Sequence, residues 1–162
     1  MKYFKSLNTS VKWAIAGRNK EKLQQVAEDN SVDVEILIAD SDNEAELDVL
    51  TSRAKVMLST TGPFHRYGSK LVASCVKNCS HYVDITGENF WVKGIIAKHH
   101  EEASAKGIRI VPSCGYDSIP SDLGVFYSAK ALNKPIKRIE SFHSWKGGAS
   151  GGTLETMFSM GD

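Results

Sequence analysis

Four short turns in this sequence combine glycine with side chains that can bind a ligand or move a proton. They are residues 16–19, 60–64, 84–88 and 112–117, and each follows directly after a short apolar run. In an open parallel sheet, ligands bind in the crevice outside the carboxyl ends of the strands. The turns therefore predict one shared site at one edge of such a sheet.

Three side chains in the later turns are candidates for catalysis. A carboxylate at Asp84 can accept a proton, Tyr116 can donate one to a developing anion, and Asp117 can orient the tyrosine. Structural roles fit the same residues, because Tyr116 can pack against its neighbours and Asp117 can cap a helix that begins near Ser118. The sequence leaves both interpretations open.

The first turn carries a candidate for recognising a cofactor. Arg18 follows an apolar run directly. At this point a dinucleotide-binding fold places either an acid for a ribose 2′-hydroxyl or an arginine for a 2′-phosphate. A guanidinium therefore favours NADP over NAD. The alternative is a solvated arginine at the end of a strand.

Short apolar runs alternate with amphipathic segments through the first two thirds of the chain. The pattern predicts five strands with helices between them. The strands are expected at residues 13–16, 34–38, 56–58, 82–85 and 108–111, and the helices at 20–29, 44–53, 67–78 and 91–106. Because parallel neighbours need a crossover connection, this alternation indicates an α/β fold with a parallel sheet.

The character of the sequence changes after the fifth strand. Ser118 followed by proline predicts the start of another helix. A strand-like segment at residues 136–145 and a glycine-rich run then lead to a helix expected from Thr153. We therefore expect a partial dinucleotide-binding domain over residues 1–127 and the beginning of a second domain, for substrate binding or oligomerisation, over residues 128–162.

Composition narrows the function classes. The 162 residues, 41% of them hydrophobic, are enough for one core. Twenty basic residues balance 19 acidic ones without a run of like charge, which disfavours a nucleic-acid partner. No apolar window approaches the roughly 18 residues of a membrane-spanning helix, and no secretory signal is evident. We expect a cytoplasmic location.

The cysteines and histidines predict no metal site. Cys75 and Cys79 lie four residues apart on an apolar helical stripe, which predicts core thiols. With Cys114 they make an odd number without a secretory signal, which favours reduced thiols. The histidines lack the spacing of zinc-binding motifs.

Taken together and in order, the motifs resemble those of the saccharopine dehydrogenase-like oxidoreductases, including the related trans-acting enoyl reductases. The resemblance covers residues 12–162 and is carried by residues 16–23, 60–64, 82–88 and 114–122. It implies a doubly wound Rossmann-type fold, NADP as cofactor, and hydride transfer between nicotinamide and a carbonyl, imine or enoyl group. It also implies a small-molecule substrate from lipid or amino-acid metabolism, full-length relatives that associate with membranes or lipid droplets, and a homodimer.

The same resemblance implies a set of cofactor-binding residues. They are Gly17, Arg18, Asp40, Thr61, Gly62, Pro63, Thr86 and Gly87. Residues 60–64 would run along the pyrophosphate and the nicotinamide ribose, with Gly62 allowing close approach, and Asp40 would contact adenine. Alternatively, residues 40–43 form an acidic turn that caps the next helix, and Gly62 and Pro63 only end a strand.

One part of the family pattern is absent from the sequence. No G-x-G-x-x-G motif precedes the first apolar run, and residues 1–11 resemble the end of a helix. In the strand order 3-2-1-4-5-6 the corresponding strand lies in the middle of the sheet, so its loss would divide the sheet into two parts. The sequence therefore predicts a chain truncated at both ends. It leaves open a non-catalytic fragment that binds cofactor weakly or not at all.

Overall fold

The computed structural model describes residues 1–7, 10–144, 146–148 and 151–159. Its strands are β1 (Ala14–Gly17), β2 (Glu35–Ile38), β3 (Val56–Ser59), β4 (His81–Asp84) and β5 (Ile110–Val111). Its helices are α1 (Lys2–Ser6), α2 (Lys20–Asp29), α3 (Glu44–Ser52), α4 (Phe64–Lys77), α5 (Asn89–Ala105), α6 (Ile119–Leu132) and α7 (Gly151–Ser159). The three strand pairs in the described part of the chain are all parallel, which confirms the predicted α/β fold.

The strands form two separate sheets. One contains β1 and β2, with Ala14 opposite Glu35, and the other has the order β3-β4-β5, with Val56 opposite His81. No described strand joins β1 to β3. The division agrees with the prediction that a sheet without its middle strand separates into two parts. It also leaves apolar side chains of β3 exposed, among them Leu58.

The main core lies between the three-stranded sheet and helices α4 and α5. Its buried members are Phe64, Val72, Cys75, Val76, Tyr82, Trp91, Ile95 and Ala103. The rings of Phe64 and Trp91 are 5.8 Å apart between centroids. Trp91 Nε1 also donates to Ser69 Oγ at 2.9 Å. Because both helices are fixed on this sheet, the loops at its carboxyl edge have a rigid support.

Local signals set several helix ends. Asn19 precedes α2 and accepts from the backbone N–H of Lys22 at 2.7 Å. Gly107 follows α5 with φ at +66°, the left-handed conformation that glycine adopts most readily. The predicted C-terminal cap at Gly107 is therefore confirmed. Ser118 precedes α6 as predicted, but its side chain makes no capping hydrogen bond.

Three expectations about local structure were wrong. Residues 136–144 form no strand, because no described segment pairs with them, and Trp145 lies outside the described residues. Cys79 is exposed rather than in the core, since α4 has ended at Lys77 and Cys79 adopts a positive φ of 59°. The last helix begins at Gly151, not at Thr153.

Candidate functional site

Three loops meet at the carboxyl edge of the three-stranded sheet. They comprise residues 60–63 after β3, residues 85–88 after β4 and residues 112–118 after β5. Because β3, β4 and β5 are parallel, their following loops leave the sheet at the same edge. We refer to this edge as the loop edge. Two buried carboxylates connect its loops.

Asp84 is the first of these carboxylates. It is fully buried, and its Oδ1 accepts from the backbone N–H groups of Thr86 at 3.0 Å and Ser113 at 2.9 Å. Its Oδ2 accepts from the hydroxyl of Tyr82 at 2.8 Å. Burial, and then the charge of Asp84, raise the pKa of Tyr82. The phenol therefore remains a hydrogen-bond donor, and Asp84 ties the loop after β4 to the loop after β5.

Glu88 is the second buried carboxylate. Its Oε1 accepts from the N–H of Phe64 at 2.8 Å, and its Oε2 accepts from the N–H of His65 at 2.7 Å. His65 Nδ1 lies 2.7 Å from the same Oε2. The N–H of Glu88 in turn donates to Thr86 Oγ1 at 3.0 Å. This carboxylate satisfies the first amides of α4, where a negative charge also complements the helix dipole.

The contacts of Glu88 explain why α4 begins earlier than the sequence predicts. The sequence predicts a helix from Tyr67, whereas the helix begins at Phe64. The residue before it, Pro63, has no side chain that can cap a helix, so the capping carboxylate comes from 24 positions away. His65 was not predicted as a site residue, because its contact with Glu88 also joins positions that are distant in the sequence. Its only local signal is a position just after a strand-end turn.

The structure brings five of the predicted cofactor-binding residues together at the loop edge. They are Thr61, Gly62, Pro63, Thr86 and Gly87. Thr61 and Gly87 are exposed there, whereas Thr86 is buried and engaged by Glu88. A Cβ atom at Gly87 would meet only Asp117 Oδ2, at 4.0 Å. The exposed part of this group can therefore contact a ligand, and the buried part holds it in place.

The other three predicted residues lie at the carboxyl ends of β1 and β2. The carbonyl of Gly17 accepts from the N–H of Ala39 at 3.1 Å, and Arg18 is exposed at the beginning of the turn into α2. Asp40 Oδ1 accepts from the N–H of Asp42 at 2.9 Å. The acidic turn weighed for residues 40–43 therefore forms. This turn also caps α3, as that alternative predicted, through Asn43, whose Oδ1 accepts from two backbone amides.

Tyr116 and Asp117 stand at the outer part of the loop edge. Tyr116 is 84% exposed, so the alternative in which it packs against neighbours is wrong. Asp117 is exposed, and its carboxylate lies beside Gly87 and Gly115. Ser118 rather than Asp117 is the residue that precedes α6. The phenol and the carboxylate are thus both accessible from the edge where the exposed cofactor candidates lie.

Thiols contribute little to this edge. Cys114 Sγ donates to the carbonyl of Val111 at 3.3 Å, and burial raises the pKa of the Cys114 thiol, with a further contribution from the charge of Asp84. In the core, burial raises the pKa of Cys75 to about 12. Both cysteines are therefore thiols at neutral pH. Within the described ranges, no group of three or more metal-ligating side chains comes together.

The residues at the two sheets fit a dinucleotide in part. An exposed guanidinium at Arg18 beside the amino terminus of the ten-residue helix α2 is suited to a phosphate group. The amino terminus of α4 is closed to a phosphate, because Glu88 already accepts from the amides of Phe64 and His65. The pyrophosphate would therefore have to run along residues 60–62 without using this helix end.

Comparisons with known proteins agree with this geometry. Residues 2–111 match the family described as saccharopine dehydrogenase NADP binding domain. A saccharopine dehydrogenase-like oxidoreductase of Mus musculus is 40% identical over 148 residues, which are 86% of this chain and 34% of the relative. A trans-acting enoyl reductase of Mycobacterium leprae is 41% identical over 116 residues, 70% of this chain and 28% of the relative.

Two further matches are a more distant sequence relative and a solved structure. A lipid droplet localized protein of Caenorhabditis elegans is 34% identical over 157 residues, 90% of this chain and 37% of the relative. The solved apo saccharopine dehydrogenase (L-Glu forming) of Saccharomyces cerevisiae has a TM-score of 0.68 at 14% identity, over 82% of this chain and 28% of that one. This last match concerns the fold alone. The chain spans about a third of the length of the curated relatives it matches.

Proposed function

Because this chain belongs to the saccharopine dehydrogenase NADP-binding domain family, we propose that its strand-end loops bind NADP(H) in an oxidoreductase. The whole protein would transfer hydride between the nicotinamide and a carbonyl, imine or enoyl group of a small molecule. The observation that carries the proposal is the loop edge itself. Thr61, Gly62 and Gly87 lie at the carboxyl ends of neighbouring parallel strands, where ligands of such sheets bind.

Arg18 is proposed to recognise the 2′-phosphate of the cofactor. It follows β1 directly, is exposed, and stands beside the positive end of the helix α2 dipole. An arginine forms charge-assisted bonds with a phosphate, which a ribose hydroxyl cannot match. The acidic turn that begins at Asp40, after the neighbouring strand β2, would lie on the adenosine side of the same cofactor.

Asp84 and Glu88 are proposed as positioning residues for the nicotinamide side. Their carboxylates are buried and already accept from several donors, so they fix the loops that carry Thr86 and Gly87. Direct catalysis by Asp84 stays a prediction from the sequence. Tyr116 and Asp117 are exposed at this edge and are the proposed proton donor and its partner.

A matched pair of variants tests the role of Arg18. NADPH and NADH are titrated by intrinsic fluorescence into the chain, into Arg18→Glu and into Lys55→Glu. Lys55 is an exposed cation at the opposite end of β3, so its variant makes the same change in net charge. We expect Arg18→Glu to weaken NADPH binding more than NADH binding, and Lys55→Glu to affect neither selectively. Equal losses for both cofactors would refute the phosphate contact.

A second candidate is a non-catalytic module that binds the cofactor weakly. The separation of β1-β2 from β3-β4-β5 favours it, because the Arg18 half and the Gly62 half of the proposed site then belong to different sheets. Calorimetric titration of the 162-residue chain with NADPH distinguishes the two candidates. Tight stoichiometric binding would contradict the weak module, and binding only at millimolar cofactor would support it.

Partners and location are proposed from the relatives. The names of a trans-acting enoyl reductase and a lipid droplet localized protein support a lipid-related small-molecule substrate and an association with lipid surfaces. None of the helices among the described residues has the length and apolar character to cross a membrane. A cytoplasmic location and a homodimer complete the proposal. Flotation with lipid droplets tests the association with lipid surfaces, and size-exclusion chromatography with light scattering tests the homodimer.

A further inference from the structure

An apolar groove lies along the β5 side of the three-stranded sheet, and its lining ends at Pro112, the first residue of the loop after β5. It has a volume of about 350 Å³ and runs between helix α5 and strand β5, which is the last strand of its sheet. Isoleucines supply much of its lining, including Ile95, Ile96, Ile108 and Ile110. Ligand pockets of this size are mainly apolar with a small number of polar groups that fix orientation. The groove meets the first condition.

His99 supplies the polar group. It is 7% exposed, it lines the groove, and its Nε2 atom has no hydrogen-bond partner. Among the described residues, this is the one buried side-chain nitrogen or oxygen atom without a partner. A buried polar atom that has lost water and gained no partner is unfavourable. A ligand that hydrogen bonds to Nε2 would remove this cost while covering the isoleucines.

The chemistry of the groove selects the kind of ligand. A hydroxyl can donate or accept, so it can bond to Nε2 in either tautomer of a neutral imidazole. A carboxylate at the same depth would bring a charge into an apolar site, and the cation at the groove, Arg109, is exposed at its rim. We propose that this groove binds a small neutral amphiphile, whose aliphatic chain contacts the isoleucines and whose hydroxyl bonds to His99.

The probe for this site is 1-hexanol, with hexanoate as the charged comparison. Titrations into the isotopically labelled chain are followed by the methyl signals of the groove isoleucines and by the imidazole nitrogen signals of His99. We expect saturable shifts with 1-hexanol and much weaker binding of hexanoate. Because the groove reaches the loop edge only at Pro112, we expect saturable shifts with 1-hexanol both with and without NADPH.

Three variants complete the test. His99→Phe keeps a large side chain but removes the nitrogen, and we expect it to weaken 1-hexanol binding about three- to tenfold. Ile96→Asp changes a residue that is 55% exposed, so it leaves the core intact and is expected to abolish binding. Val49→Asp is the matched control on α3, outside the groove. We expect it to bind as the parent chain does.

Each unfavourable outcome overturns the proposal. Absence of saturable shifts with 1-hexanol excludes the site. Hexanoate binding as tightly as 1-hexanol excludes a neutral head group and assigns recognition to Arg109. Unchanged affinity in His99→Phe shows that Nε2 makes no bond to the alcohol. Equal losses in Ile96→Asp and Val49→Asp show that the effect of the charge is not specific to the groove.

Discussion

Glu88 Oε2 lies 2.7 Å from the backbone nitrogen and 2.7 Å from the Nδ1 atom of His65. This contact joins the loop after β4 to the first turn of α4. It makes a buried carboxylate part of the support of the loop edge, and it explains why α4 begins before the position that local sequence signals predict. The same contact determines which anions can approach this helix, because the carboxylate already fills the place of a phosphate.

Replacement of Glu88 by glutamine tests the strength of this connection. An amide keeps one oxygen acceptor, but its NH₂ group would face a backbone donor of Phe64 or His65. We expect Glu88→Gln to lower the free energy of unfolding by about 2–3 kcal/mol, measured by urea denaturation at pH 7. Glu101→Gln, an exposed change on α5, serves as the control. A loss no larger than that of the control would refute the capping role.

Gly68 is expected to be essential for packing between α4 and α5. A Cβ atom at this position would lie 2.6 Å from Cζ2 of the buried Trp91 ring. We expect Gly68→Ala to destabilise the chain by about 1–3 kcal/mol and to change tryptophan fluorescence. Gly94→Ala is the matched control, since nothing lies within 4 Å of its Cβ position in α5. That substitution should stabilise the helix by about 0.5–1 kcal/mol, and equal effects of both would contradict the contact.

The sequence predicted elements whose signals are local. Helix α2 was expected at residues 20–29 and occupies Lys20–Asp29, because Asn19 and the apolar spacing both lie within the segment itself. All five strands were found, since each is a short apolar run followed by a turn. The strand expected at residues 136–145 was wrong because a strand also needs a partner, which a local pattern does not report.

The candidate site was predictable as a set of loops but not as a set of contacts. Asp84 and Glu88 could be recognised as acids at strand ends. Their backbone donors include residues that are distant in the sequence, because Ser113 lies 29 positions from Asp84 and Phe64 lies 24 positions from Glu88. His65 was missed because its partner is set by the fold. Long-range hydrogen bonds of this kind leave no periodic trace in a sequence.

His99 gives the chain a specific dependence on pH. Burial lowers the pKa of this imidazole below its usual value of 6.5, the charge of Lys98 lowers it further, and Glu102 opposes both. The unfolded chain therefore takes up the proton more readily than the folded one. The contribution of neutral His99 to the free energy of unfolding is therefore fully present above pH 6.5, and it decreases as the pH falls below this value.

Urea denaturation at pH 7.5 and pH 5.5 measures this effect. We expect the parent chain to lose more stability over this interval than His99→Phe does, because the variant lacks the titrating group. His100→Phe, an exposed change on the same helix, should retain the full dependence on pH. If His99→Phe and the parent chain have the same dependence, the shift in pKa is absent.

We expect the hydrogen bonds of Thr51 to fix α3 against α4. Through these two helices they would also connect the two sheets. Its buried hydroxyl lies 2.8 Å from Ser74 Oγ and accepts from Asn78 Nδ2 at 2.9 Å. Ser74 Oγ donates to Asp48 Oδ1 at 2.7 Å, and Lys77 pairs with the same carboxylate. Since α3 follows β2 and α4 follows β3, this network connects the two sheets, which no strand among the described residues joins.

Thr51→Val keeps the shape of the side chain but removes its hydroxyl, so Ser74 and Asn78 each lose a partner. We expect the free energy of unfolding to fall by about 1–3 kcal/mol, and amide hydrogen exchange to rise in β1 and β4 together. Ser52→Ala is the control, because that exposed hydroxyl only donates to the carbonyl of Val49. Faster exchange in β1 alone would show that the two sheets are stabilised independently and that the α3–α4 network does not couple them.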